Sequence, residues 1–211
     1  MKHYIYISST KVEMLFSQIP QNIKSRIATE IKIDLKIFST TFKDKDANPD
    51  TNLYSKLDMV LQHIEADANV GTVACPKSYF RNSMEMKVGE FPNSGLVYFT
   101  GKSTDGTVGL GGSLKHVIDN QDIVELKEKP SSLLPRILNS LSRELNAPLQ
   151  QDLEDFLFPN KSRVLRTVEA AYSRIEGVPL KVEFFAKTLA QEEGRHERVI
   201  LGTPLYVAYA D

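Results

Sequence analysis

Apolar and polar positions recur along this chain with two different periods, and the changes of period mark its elements. His3-Tyr4-Ile5-Tyr6-Ile7-Ser8 is β-branched and aromatic, which predicts a central strand covered on both faces. Thr10 and Glu13 stand in the T-x-x-E relation of a capping box, and Val12, Leu15, Phe16 and Ile19 repeat at helical spacing, predicting a helix over 11–20. A polar helical link over 22–30 leads to Ile31, Ile33, Leu35 and Ile37, which alternate with charged residues as a half-buried strand does. Asn48-Pro49-Asp50 reads as a loop.

Leu53, Leu57, Val60, Leu61 and Ile64 fall on one stripe, so an amphipathic helix is expected over 52–67. From there the period shortens. Apolar runs at 84–88, 96–100 and 107–110 are separated by Pro92-Asn93-Ser94-Gly95 and by Asp105-Gly106, the texture of an antiparallel meander.

Helical spacing returns with Leu134, Ile137, Leu138, Leu141 and Leu145, with Pro135 near the start and Pro148 beyond the end. A second helix over 162–176 is expected to bury Val164, Leu165, Val168, Tyr172 and Ile175 and to stop at Gly177. A shorter helix is read over 180–191, then a charged surface loop over 192–198. Residues 199–210 are apolar enough to be a strand pair or one bent strand in the core. This order predicts an α+β fold: a single mixed sheet with a meander at about 70–112, both terminal strands in its core and helices packed on it. One globular domain over 1–211 is expected; a short composition shift at 120–130 does not divide it.

Composition narrows the functional classes. Hydrophobic residues at 41% and charged residues at 25% are those of an ordinary globular protein. The 26 Lys and Arg nearly cancel the 27 Asp and Glu, so no global charge draws the chain to nucleic acid, and any anion site has to be local. No apolar run reaches the roughly 18–20 residues of a membrane span, and the start MKHYIYIS lacks a signal-peptide layout, so a cytoplasmic protein is expected. Cys75 is the lone cysteine, and His3, His63, His116 and His196 show no metal-ligand spacing, so neither a metal nor another cofactor is read from the sequence.

The most unusual stretch is residues 100–116, TGKSTDGTVGLGGSLKH. Glycines allow close backbone approach, and a following helix start would offer N–H groups to an anion. On that reading Lys102, Gly111, Gly112, Ser113, Lys115 and His116 bind a small anion, with Ser8, Ser9, Thr10 and Lys11 on the opposite wall at the end of the first strand. The competing reading is a hairpin at Asp105-Gly106 followed by a close-packed strand. Helix capping likewise accounts for Thr10 and Glu13 without a ligand. Gly101-Lys102-Ser103 is not a P-loop, because the upstream glycine, Gly95, is one residue too far away. Arg163, Arg166 and Arg174, with Lys161, would contact phosphates or an acidic partner, or form a solvated helix face. His116 is the candidate catalytic base, with Ser113 or Asp119 nearby in sequence.

The blocks YIYISSTKVEMLFSQIP, SRIATEIKIDLK, TVGLGGSLKHVI and ILGTPLYVAYA together resemble an uncharacterised bacterial family catalogued only as a domain of unknown function. The resemblance spans nearly the whole chain; it implies a bacterial, cytoplasmic protein and carries over no site residue.

Three functions remain open. The first is a non-catalytic sensor or binding module for a small anionic, nucleotide-like ligand or a protein partner, in bacterial signalling or antiviral defence. The second is a hydrolase or transferase acting on a phosphorylated small molecule, with His116 as acid or base. The third is a structural subunit of a homo- or hetero-oligomer.

Overall fold

The structure is a computed structural model that describes residues 2–31, 49–67, 69–118, 133–145, 163–193 and 198–210. It falls into two compact units, Met1–Ser8 with Gly71–Asp211, and Ser9–Val70.

The first unit is built on strands β1 (Tyr4–Ile7), β3 (Tyr79–Phe91), β4 (Leu96–Ser103), β5 (Gly106–Ser113), β6 (Leu180–Glu193) and β7 (Arg198–Tyr209); a two-residue β2 (Val70–Gly71) spans the point in the chain where the second unit ends and the first resumes. The fold is α+β, but the meander does not stay open. β3, β4 and β5 pair antiparallel in succession, β5 lies parallel to β7, β7 pairs antiparallel with β6, and β6 returns antiparallel to β3. The result is a closed barrel of five strands. Closure depends on two long strands that change partners. The first half of β3 lies on β6 (Phe80 opposite Ala186), and its second half lies on β4 (Val88 opposite Phe99).

β7 is the other. Val199 to Gly202 pair with β5, and Tyr206 to Ala208 pair with β1. Pro204 sits between these stretches, beside a register shift against β6 at Phe185/Ala186. A proline has no N–H to give a ladder, so it is tolerated where the ladder is changing hands. The terminal apolar segment is therefore one bent strand. β1 is the end strand of the sheet rather than a central one: it lies antiparallel to β7 on one edge, an isolated bridge joins Tyr6 to Val117 on the other, and only its Tyr6 and Ile7 are buried.

Alternation along each strand separates two apolar layers. Tyr6, Phe80, Val97, Phe99, Val108 and Leu110 belong to one, together with Val182, Phe184 and Ile200. Leu96, Tyr98, Val199 and Leu201 belong to the other, where they meet α4 (Leu133–Glu144) and α5 (Arg163–Arg174). The predicted stripes are observed: Ile137, Leu138 and Leu141 on α4 and Val168 on α5 are buried, as is Ile175 just after it. The helix ends at Arg174, three residues before the expected stop at Gly177, whose φ of +132° is one that side chains rarely adopt. Arg166, expected on the solvated face, is half-buried instead, and Arg174 donates to the Leu145 carbonyl at 3.0 Å.

Residues 180–191 are a strand, not the predicted helix. Leu180, Lys181, Glu183 and Ala186 favour helix by intrinsic preference. Val182, Phe184 and Ala186, however, face the same packed layer at every second position, and pairing on both β3 and β7 overrides propensity. The charged loop expected over 192–198 is likewise shorter, since Glu193 pairs with Arg198 at the ends of β6 and β7.

The second unit is helical: α1 (Ser9–Gln18), α2 (Gln21–Glu30) and α3 (Pro49–Ala66). α1 begins before the predicted start at Lys11, so Thr10 lies inside the helix rather than at its cap. α2 is the predicted polar link, and Pro20 precedes it. Pro49 and Asp50 open α3 instead of forming a loop; proline's fixed φ suits a first helical turn, where its missing N–H is no loss. Leu57, Val60 and Ile64 are buried along the predicted stripe, and Met59, outside that stripe, is buried too, packed with Ile27 and Ala28 of α2. Lys56 ties α3 to α1 through Glu13 at 2.7 Å. The strand expected at 31–37 lies, beyond Ile31, outside the described residues, as do the shift at 120–130, Asp119, Pro148, Lys161 and His196.

Candidate functional site

The glycine-rich stretch is a hairpin and a close-packed strand. Ser103 pairs with Gly106 across the turn, the Asp105 N–H donates to Ser103 Oγ at 3.2 Å, and Gly106 takes φ +143°, which a side chain would strain. Farther along β5 the glycines provide space. A Cβ on Gly109 would fall on the Tyr98 hydroxyl, one on Gly111 would stand 2.6 Å from Ile137 Cδ1, and one on Gly112 would stand 2.5 Å from Tyr6 Oη. Gly111 thus admits a side chain of α4, and Gly112 admits Tyr6. Both are buried.

The apolar helix expected after the glycines is a single 3₁₀ turn, Leu114–His116, with no side-chain cap. A turn this short cannot supply the stacked N–H groups of a long helix start. Its backbone is anchored to the barrel on both sides. Leu114 is buried at 1% exposure, its N–H donates to the Gly95 carbonyl at 2.9 Å, and the Val117 N–H returns to the Leu114 carbonyl at 3.1 Å. The Ile118 N–H then donates to the Ile5 carbonyl at 2.9 Å, laying this segment along β1. The His116 ring meets Tyr6 edge-on, with centroids 6.0 Å apart. Lys115 is exposed, and Ser113 and His116 are half-buried.

Not every predicted site residue joins them. Lys102 is exposed but pairs with Thr107 near the hairpin turn, whereas Ser113 pairs with Leu96 at the other end of β5. Six strand positions, at about 3.3 Å each, put about 20 Å between them, so Lys102 and Lys115 do not converge on one small ligand. Ser8 is buried at 2% exposure, and its N–H donates to the Leu205 carbonyl at 2.9 Å. Ser9, Thr10 and Lys11 form the first turn of α1 in the helical unit, where Thr10 is exposed and Lys11 half-buried. Burial pulls the Lys11 ammonium down to about 8. Among the described residues, no three His, Cys, Asp or Glu side chains gather as a metal site.

One polar cluster was not read from the sequence. Lys2 Nζ lies 2.7 Å from Glu183 Oε1, donates to Tyr206 Oη at 3.3 Å, and stands 5.0 Å from the centre of the Tyr206 ring. Tyr4 meets the same ring edge-on at 5.5 Å. Burial works against the Lys2 charge, but Glu183 and Tyr206 outweigh it and hold the ammonium above its ordinary range. Burial also raises the Tyr206 phenol, against the opposing pull of Lys2. Only the pairing of β1 and β6 on β7 brings these residues together, so no sequence spacing announces them.

On β4, Leu96 and Tyr98 share a face that packs against Ile137, Leu141, Val168 and Ala171 of α4 and α5. That face is covered, and the exposed polar groups of the glycine-rich segment lie at its ends.

The molecule is thus a closed α+β barrel with a helical unit inserted after its first strand. The chain belongs to the family of unknown function DUF7019, whose model matches residues 2–211. No curated protein matches it, and no solved structure does. No described helix is long and apolar enough to cross a membrane.

Proposed function

We propose that this protein is a non-catalytic binding module whose barrel takes a small anionic ligand at the Ser113 to His116 turn. The observation that supports this reading is the anchoring of that turn: Leu114 is sunk in the core and bonded to Gly95, while its neighbour Lys115 is held out to solvent between Ser113 and His116. A cation, a hydroxyl and an imidazole on a rigid support make an anion contact with little ordering cost. Lys102 is not part of it.

The test is calorimetry at low and high salt against inorganic phosphate and mono-, di- and cyclic nucleotides, with the wild type and Lys115→Ala. Binding that weakens about tenfold or more in Lys115→Ala and falls with salt, with an unchanged unfolding midpoint, supports the reading. Absence of binding to every anion in the panel overturns it. Turnover of a bound nucleotide that is lost in His116→Ala replaces it with the hydrolase or transferase reading.

A further inference from the structure

Tyr98 and Thr100 stand two apart on β4 and so share a face, the one that α4 and α5 cover. Both residues are 0% exposed. Neither hydroxyl has a hydrogen-bond partner among the described residues. Ile137, Leu141, Val168 and Ala171, which pack on this layer, carry no side-chain acceptor or donor. The backbone of Thr100 is engaged in its ladder with Gly109.

Gly109 fixes where the two oxygens lie. The Tyr98 hydroxyl occupies the space a Cβ on Gly109 would take, with Tyr98 Cζ 2.7 Å from that position. Gly109 is directly opposite Thr100. Cross-strand Cβ positions are about 5 Å apart, so the Thr100 and Tyr98 oxygens are separated by on the order of 5 Å. No direct bond joins them, and a separation of about twice a hydrogen-bond length of roughly 2.8 Å suits one bridging water. A buried hydroxyl that gains no partner forfeits the bonds it made to solvent in the unfolded chain. Buried waters are found where two or more polar groups lack protein partners.

We propose that a single water molecule is bound between Tyr98 Oη and Thr100 Oγ1, beneath α4 and α5. Two buried hydroxyls on one face of β4 offer a short bridge that a ligand as small as water fits. It would link two positions of β4 at the place where the glycine strand leaves room.

A crystal structure of the full chain tests this directly. Density for one water within about 3.2 Å of both oxygens is expected; uninterrupted apolar packing between them, or a rotated Thr100 bonded to backbone, overturns the site. Urea unfolding of Tyr98→Phe, Thr100→Val and the double variant gives an independent readout. With the water present, each single variant lowers the midpoint, and the double variant falls no further than the worse single one, since either removes an anchor of the same molecule. Single variants that raise the midpoint, or effects that simply add, overturn it.

Discussion

The Tyr98 hydroxyl lies where a side chain on Gly109 would begin, two strands fitting together because one position is empty. Gly109 is not at a positive φ, so its role is space rather than backbone freedom. Gly109→Ala should therefore destabilise the barrel by overpacking, by about 1–3 kcal/mol. Because the overlap is greatest at the hydroxyl, Tyr98→Phe should cost less in the Gly109→Ala background than in the wild type. Urea midpoints of the four proteins check this; strictly additive effects would show that the two residues do not compete for the same space.

Removing residues 200–211 should leave no folded barrel. β7 supplies the pairing for β1, β5 and β6, and Ile200, Leu201, Leu205 and Val207 are all buried at 0–1% exposure. Each such side chain contributes about 1.5–3 kcal/mol against a net stability of about 5–15 kcal/mol. The expected outcome is aggregated or unfolded protein by circular dichroism, and a soluble truncation with an unchanged melting profile would contradict the topology.

Leu57 is 0% exposed on α3 of the helical unit. Leu57→Ala should cost about 2–5 kcal/mol, the range for an uncollapsed core cavity. Lys24→Ala removes only a cation resting on the Phe16 ring, with Nζ 4.3 Å from its centroid, and should cost far less, about 0.5–1 kcal/mol. Denaturation of both variants, followed through helix content, separates a buried anchor from a surface contact.

Lys11 gives the helical unit a pH signature. Burial lowers its ammonium from 10.5 to about 8, so between those values the unfolded chain holds the proton and the folded chain has lost it. Stability contributed through Lys11 should therefore rise as pH increases from about 8 to 10.5 and be flat below 8, where both states are protonated. Comparing wild type with Lys11→Met across that range isolates the effect. The variant should lack this rise and be the more stable of the two at neutral pH; parallel pH profiles would refute the desolvated lysine.

Periodicity alone determined much of this protein. The stripe through Leu57, Val60 and Ile64, the helix carrying Ile137, Leu138 and Leu141, the Asp105-Gly106 hairpin and the core place of both terminal strands are local consequences of side-chain spacing and turn chemistry, and they stand in the structure.

Tertiary structure decided the rest. Residues 180–191 carry helix-forming composition, and only the unfilled edges of β3 and β7 made them a strand. The meander became a barrel because β3 and β7 are long enough to bend and change partners, which no local pattern encodes. The register of the β4–β5 hairpin put Lys102 near the turn and Ser113 at the far end of β5, and the shared pairing of β1 and β6 on β7 joined Lys2 to Glu183 from opposite ends of the chain. Spacing along a strand fixes which face a residue takes, but the distance between two residues on different strands depends on register and closure, and those are settled only when the whole sheet pairs.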